Sequence, residues 1–418
     1  MSVTVPNGYK QTKVGVIPEE WDTYRIDNVL QRIRKKVDVK KDTIYQQIGI
    51  RSHAKGIFHK ELVSGEALGN KSVFWIEEDC FIVNIVFAWE QAVSKTTNAE
   101  KGMIASHRFP MYKAKDHKVD IDYILYFFKS KRGKHLLGLA SPGGAGRNKT
   151  LGQKEFSELK LPLPLLKEQQ KIAKILTTWD NAISKQEELI NAKERLKKGL
   201  MQRLLSGELR FVGFVGEWEE VKLGDIGYTY GGLTKKTAED FGCGNTQYIT
   251  YKNIFDNDKI DVSIFHNVKI NNDEKQNKVM YGDVLFTTSS ETPEEVGMSS
   301  VLLDKIDELY LNSFCFGYRL NDLNILNPQF ARFYFRSFYM RDKISRLAQG
   351  STRFNLSKLQ VMKIKIKLPP KQEQHKIAQV LTTADKEIEL LKKELEALKE
   401  QKRGLMQRLL SGVVRVRA

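Results

Sequence analysis

The sequence predicts an α+β fold in which two tandem globular domains are joined by two long helices that pair as an antiparallel coiled coil with pseudo-two-fold symmetry. Two observations carry this expectation. A long helical segment occurs twice without a gap, and the regions before each copy hold short strand-like runs separated by polar turns.

EQQKIAKILTTWDNAISKQEELINAKERLKKGLMQRLLSG, Glu168 to Gly207, aligns with EQHKIAQVLTTADKEIELLKKELEALKEQKRGLMQRLLSG, Glu373 to Gly412, at a constant offset of 205 residues. Upstream, Leu151, Phe156 and Leu159 fall opposite Leu356, Val361 and Ile364, and YFFKS (126–130) corresponds to FYFRS (333–337). Ile48 and Arg51 correspond to Ile249 and Lys252. Each unit also opens on a Gly-containing turn leading to a tryptophan, GVIPEEW at Trp21 and GFVGEW at Trp218. Within the globular parts the offset drifts between 197 and 207, so loops vary while helix length does not. The resulting boundaries are a first domain at 1–160, a first helix at 161–210, a second domain at 211–366, and a second helix with a C-terminal tail at 367–418.

Apolar residues of the first helix fall at Ile172, Leu176, Trp179, Ile183, Ile190, Leu200 and Leu204. Those of the second fall at Ile377, Leu381, Ala384, Ile388, Leu391, Leu395, Leu398, Leu405 and Leu409, with Glu and Lys on the other faces, the pattern of a coiled-coil seam. Lys193 and Lys197 interrupt the first seam, which predicts a weaker distal half unless it pairs with the second helix. Pro164 and Pro369 suit the start of a helix, and Gly207 and Gly412 stand where C′ glycines would. Gly199 and Gly404, inside the helices, allow a close helix crossing or a weak last turn. A helix of this size is roughly 58 Å long. That is too long to bury its stripe in a small domain, so the expected partner is its own copy, with local hairpins as the alternative.

In the globular parts SVFWI (72–76), CFIVNIVFAW (80–89), DVLFTT (283–288), SSVLL (299–303) and LYLNSFCFGYRL (309–320) read as strands. YILYFFKS and FARFYFRSFYMRDKISRLA have helical character, and their Tyr/Phe density reads more simply as core than as a base-stacking platform. At 418 residues the chain suits two to four domains, and a net charge of +17 points to a polyanionic partner. Cys80, Cys243 and Cys315 lie far apart, which predicts buried thiols and neither a disulfide framework nor a zinc cluster. The N-terminal stretch lacks a leader-like apolar region and no uncharged apolar run nears ~20 residues, so a cytoplasmic protein is expected.

Basic residues cluster in segments that read as loops: Arg32, Arg34, Lys35, Lys36, Lys40 and Lys41 in the first unit, Lys235 and Lys236 in the second. Arg51 and Lys55 stand against Lys252 and Asn253, and the Gly-rich GGAGRNKT, with Arg147, Asn148 and Lys149, stands against GSTRFN, with Ser351, Thr352 and Arg353. Arg108 completes the set. Such residues suit approach to a phosphate backbone, and Arg or Asn can read a base edge.

Other motifs are declined. Asn148 replaces the glycine that a phosphate-binding loop needs before Lys149 and Thr150. NPQF (327–330) departs from the tetrapeptide of adenine-amino methyltransferases at its third residue, and Asn327 with Pro328 reads as a helix start. His107, His135 and His375 lack partners at ligand or triad spacing, and no carboxylate cluster suggests a nuclease metal site. No catalytic or metal-binding residue is assigned, and the chain reads as a binding and positioning component.

GVIPEEW, LPLPLLKEQQKIAKILTTWDNAI, LPPKQEQHKIAQVLTTADKEI, the two QRLLSG endings and the order domain, helix, domain, helix together resemble the specificity subunits of type I DNA restriction-modification enzymes across nearly the whole chain. The second opening departs from the family pattern in carrying Val215-Gly216 where an Ile-Pro pair is usual. The resemblance implies that each globular domain is a target recognition domain reading one half of a split double-stranded DNA sequence. The helices would be spacers setting the number of unread base pairs. It further implies two adenine methyltransferase subunits and up to two translocase/endonuclease subunits as partners, with S-adenosylmethionine, ATP and Mg on those partners and no cofactor here. The competing reading is a non-enzymatic coiled-coil adaptor that binds protein or RNA.

Overall fold

The two long helices form where the periodicity places them, at Leu166–Ser206 and Lys371–Leu410. They are seen in a computed structural model that describes residues 5–69, 71–143, 149–271 and 273–416. Each helix is divided between two units, one made of Met1–Glu187 with Lys393–Ala418 and the other of Glu188–Lys392.

The first unit carries two four-stranded sheets. One has the order Ile57–Ser64, Ile44–Ile50, Ile104–Ser106, Val73–Trp75, and the other Leu30–Ile33, Met111–Ala114, Phe81–Val83, Val93–Lys95. Asp22–Arg25 pairs with Lys160–Leu163 and brings the two ends of the globular part together. Helices Ile121–Lys129 and Lys131–Leu139 are N-capped by the side chains of Asp120 and Ser130. They lay Tyr123, Phe127 and Phe128 against Phe81 and Phe156.

The second unit repeats the plan. Its main sheet runs Gly227–Gly231, Cys315–Leu320, Val284–Thr287, Ser299–Val301, its second sheet His266–Val268, Phe241–Ile249, Leu309–Leu311, and Glu219–Lys222 pairs with Lys365–Leu368. Among the strands of the described residues, one parallel pairing occurs in each unit and it falls at the same place: Ile104 beside Gln47, and Leu309 beside Gln247. Two strand expectations are refined. CFIVNIVFAW is extended only to Val83, because the Asn84 side chain accepts from Val86 N (3.1 Å) and turns the chain, and LYLNSFCFGYRL divides at Asn312–Phe314 into two strands of different sheets. Cys80 and Cys315 are buried as expected, whereas Cys243 is exposed in the outward-facing first half of Phe241–Ile249.

The helices run antiparallel within each unit. In the first, Asp180 pairs with Lys402 and Glu187 with Lys399 (3.0 Å). In the second, Lys193 pairs with Glu387 (2.6 Å), Glu194 with Lys392 (2.7 Å) and Lys197 with Asp385. From Asp180 to Glu187 the partner number falls from 402 to 399, and from Glu194 to Lys197 it falls from 392 to 385. The distal half of the first helix does pair with the second helix, the condition under which Lys193 and Lys197 would not weaken the seam, and both lysines supply cross-helix ion pairs. The helices also do not spend their whole stripe on each other. Ile172 and Leu176 join Leu409 and Leu410 in the first unit's core, and Ile377 and Leu381 join Leu204 and Leu205 in the second's. Mid-helix Ile190, Ile388 and Leu395 are buried away from these domain cores.

A polar clamp fastens each junction. Glu168, in the first turn of the first helix, is buried and accepts from Arg415 Nε (2.8 Å), Arg415 Nη2 (2.9 Å) and Trp21 Nε1 (3.3 Å). Glu373 repeats this with Arg210 at 2.6 and 2.8 Å, and both guanidinium groups lie over the unit's opening tryptophan. Each arginine follows the C′ glycine of the opposite helix by three residues. Gly207 and Gly412 take φ of +79° and +76°, which turns the chain back, and a Cβ on Gly412 would meet Pro18 Cγ at 2.4 Å. The adjacent glutamines act alike. Gln169 bonds Pro164 O, Lys118 O and Asp120 N, and Gln374 bonds Pro369 O, Ile325 O and Asn327 N. Asn327 caps the helix Pro328–Tyr334, the role expected of it.

Two outcomes follow for stability. Among the described residues nothing lies within 4 Å of a Cβ placed on Gly199 or Gly404, so neither marks a close crossing there. Each Gly→Ala change should stabilise by about 0.5–1 kcal/mol, read as a raised urea midpoint. Arg210→Met should destabilise by about 3–5 kcal/mol, because the fully buried Glu373 carboxylate loses its counter-charge. A loss under about 1 kcal/mol in urea unfolding would contradict the clamp.

Candidate functional site

In each unit the same three segments converge, and they include several of the basic residues singled out above. In the second unit they are the helix Tyr251–Asp256, the loop 288–298 and the turn 349–355. Tyr251, Phe255, Ser289, Ser290, Glu291, Glu295, Thr352 and Arg353 line a cleft of about 620 Å³ there. Tyr251 and Phe255 stack at 5.8 Å, and Tyr251 Oη donates to Ser289 O (2.7 Å). The turn is held by pairing of Ser289 and Ser290 with Asn355 and Phe354. Gly350 has φ +132°, and a Cβ there would lie 2.1 Å from Arg353 O, so only glycine lets the turn present Arg353.

Two half-buried arginines aim the loops. Arg336 donates to the carbonyls of Ile254, Phe255, Asn257 and Ser299, and Arg341 to those of Glu294, Val296 and Gly297. Burial pushes both guanidinium groups down, Arg341 to about 10, and leaves them cationic near neutrality. Arg336 corresponds to Lys129 in the YFFKS/FYFRS match, so the repeat carried a signal for it that charge clustering did not. Tyr251, Phe255, Glu291 and Glu295 gave no such signal.

In the first unit the corresponding segments are the tip of the Ile44–Ile50/Ile57–Ser64 hairpin, the loop 84–92, and the chain leading into Leu151. His53 N and Ala54 N donate to Glu90 O (2.7 Å) and Gln91 O (2.9 Å), and Ser52 Oγ donates to Glu90 (2.9 Å). Arg51 lies over Phe58 at 4.9 Å, and Lys149 Nζ stands 5.7 Å from the Trp89 ring. One backbone bond ties loop to turn in both units, Leu151 N to Ile85 O and Leu356 N to Thr288 O, each 2.8 Å. A second ties the loop to a neighbouring turn, Ile85 N to Arg108 O and Thr288 N to Phe314 O, each 3.0 Å. Arg108 and Phe314 are both exposed beside their loops.

The remaining sequence candidates divide. Lys55, Lys252, Ser351 and Thr352 are exposed in or next to these segments. Asn253 is fully buried, its amide donating to Asp261 O (2.9 Å) and accepting from Asp261 N (3.0 Å). The Lys236 ammonium is enclosed with Glu274 at 2.6 Å, while Lys235 is exposed with φ +55°. Arg32 is in the strand Leu30–Ile33, not a loop, and bonds Gln153. Lys36 forms an isolated bridge with Phe74, Arg34 lies over the Phe74 ring at 5.0 Å, and Lys35 pairs with Glu77 at 3.5 Å. These four are not drawn into the convergent segments. Arg147 and Asn148 lie outside the described residues. Among the described residues no group of His, Cys, Asp and Glu could hold a metal ion, and no helix is long and apolar enough to cross a membrane.

This repeated architecture has relatives. A sequence model of the family described as "Type I restriction modification DNA specificity domain" matches residues 18–193 and again 216–400. The type I restriction enzyme MjaVIII specificity subunit of Methanocaldococcus jannaschii is 26% identical over 426 residues, covering 96% of this chain and 94% of that protein. Two solved structures share the fold. One is the HsdS subunit from Thermoanaerobacter tengcongensis (TM-score 0.57, 17% identity, 95% of this chain and 98% of that one). The other comes from a study of complex assembly and conformational transition of the type I R-M system (TM-score 0.60, 18% identity, 95% and 99%). With the family matched in both halves, the chain belongs to the type I restriction-modification specificity subunits, the sequence-specific DNA-binding and non-catalytic members of those enzymes.

Proposed function

We propose that each unit reads one half of a split double-stranded DNA target through its three convergent segments, and that the base pairs between the halves go unread. The observation that carries this is the convergence itself. Three corresponding segments meet in both units, with the same two backbone bonds anchoring the loop, yet they present different side chains: Arg51, Trp89 and Lys149 in one, Tyr251, Glu291 and Arg353 in the other. A frame that repeats while its exposed groups differ suits two readers of different sequences. The Arg353 fork fits guanine O6 and N7, and Glu291, an acceptor only, fits the amino hydrogens of cytosine N4. Exposed Lys55 and Lys252 supply salt-dependent phosphate contacts that carry no sequence information. The chemistry falls to partners: two methyltransferase subunits, each placed over one adenine, and up to two restriction subunits.

The test is to co-purify the chain with its methyltransferase partner and map methylated adenines genome-wide. A two-part motif with an unread gap is expected. Arg353→Ala should relax one base position of one half only, by about tenfold to a hundredfold, and Arg51→Ala should act on the other half. Lys252→Ala should weaken binding to all duplexes alike and reduce the salt slope by about one. Loss of selectivity in both halves from either arginine change would sink the assignment of one reader per unit.

A further inference from the structure

Two cross-helix ion pairs occupy matching places in the two units with their signs reversed. Glu187 of the first helix meets Lys399 of the second at 3.0 Å, and Glu194 of the first meets Lys392 of the second at 2.7 Å. At the offset of 205, Glu187 corresponds to Lys392 and Glu194 to Lys399. The first helix is therefore acidic at both positions and the second basic at both. The pairs nearer the helix ends behave differently. Asp180 with Lys402 corresponds to Asp385 with Lys197, and here each helix carries one acid and one base.

We infer that the helices carry two separate codes, one for register and one for partner. If two copies of the chain paired first helix with first helix in the same antiparallel register, Asp180 would still meet Lys197. Glu187, however, would face Glu194 twice. Pairing of two second helices would likewise keep Asp385 with Lys402 but set Lys392 against Lys399 twice. Lys193 and Glu387 would also lose each other, since their counterparts are Leu398 and Ala182. The Asp–Lys pairs fix register whatever the partner, and the Glu–Lys pairs admit only the heterotypic combination. Charges flanking a coiled-coil seam set partner choice in this way even where each adds little stability.

Synthesis order gives the second code its use. The first helix ends at Ser206 and the second begins at Lys371, so about 165 residues must be made between them. At 5–20 residues per second the first helix waits roughly 10–30 s for its proper partner. During that interval the seam partner within reach is the first helix of another chain, which the Glu187/Glu194 repulsion disfavours.

Charge swaps in the full chain separate the codes. Glu187→Lys with Lys399→Glu preserves both intrachain pairs but makes like-with-like pairing attractive. Refolded at tens of micromolar in low salt, this variant should melt like the parent chain, yet give a dimer share at least threefold higher by size-exclusion chromatography with light scattering. The fourfold swap (Glu187→Lys, Glu194→Lys, Lys392→Glu, Lys399→Glu) restores discrimination and should match the parent in both measurements. Glu187→Lys with Glu194→Lys alone should lower the melting temperature by about 2–4 °C, and 1 M salt should erase every difference. Equal dimer shares for parent and two-residue swap would overturn the inference, and so would dimerisation of the fourfold swap.

Discussion

A buried carboxylate at the foot of each long helix governs the rest of the molecule. Glu168 and Glu373 lie in the first turns of their helices, out of water, and a carboxylate so placed is costly to fold without a cation beside it. That cation comes from beyond the end of the opposite helix, from Arg415 and Arg210, so each domain is completed by a residue that the other helix delivers. The C′ glycine that turns the chain, the tryptophan under the guanidinium and the glutamine that satisfies the neighbouring loop all serve this one contact. A constant helix length is its necessary companion, because an inserted residue would swing the arginine about 100° around the helix axis and away from its carboxylate.

The sequence reveals this framework better than it reveals the site. Strict 205-residue spacing located both helices and their C′ glycines, and Asn327 was recognisable as a cap from Asn-Pro alone. Arg210 and Arg415 lie just past the repeated segments, and nothing local in the sequence says that they reach a buried acid. The loop residues were harder still. Asn253 and Lys236 had the composition of a phosphate-binding segment, but folding turned one into the core and closed the other against Glu274. Composition reports which groups a loop owns and not which way it faces. Tyr251 and Glu291, which do line the cleft, are separated along the chain and are united only by strand order.

The two units divide constraint from freedom in the same manner. Sheet order, the parallel step, the domain-closing strand pair and the junction clamp recur, whereas the exposed tips differ. Arg336 and Arg341 show how such tips stay variable yet rigid: they bind backbone carbonyls, which every residue provides, so the loop sequence can change without loss of its anchors. The ion pairs along the helices are likewise sorted by task, some common to both helices and some assigned to one.

The composition of the first unit from two distant stretches carries a biological consequence. Its core includes Leu409 and Leu410, and its clamp needs Arg415, although its globular part is finished some 250 residues earlier. A message cut short before codon 409 omits Leu409, Leu410 and Arg415, which leaves the core two leucines short and the Glu168 carboxylate without its guanidinium in the half that was made first. In such a truncated polypeptide the domain made first lacks both its last packing residues and its counter-charge, so the folding of the first unit waits on the last residues of the second helix and its tail.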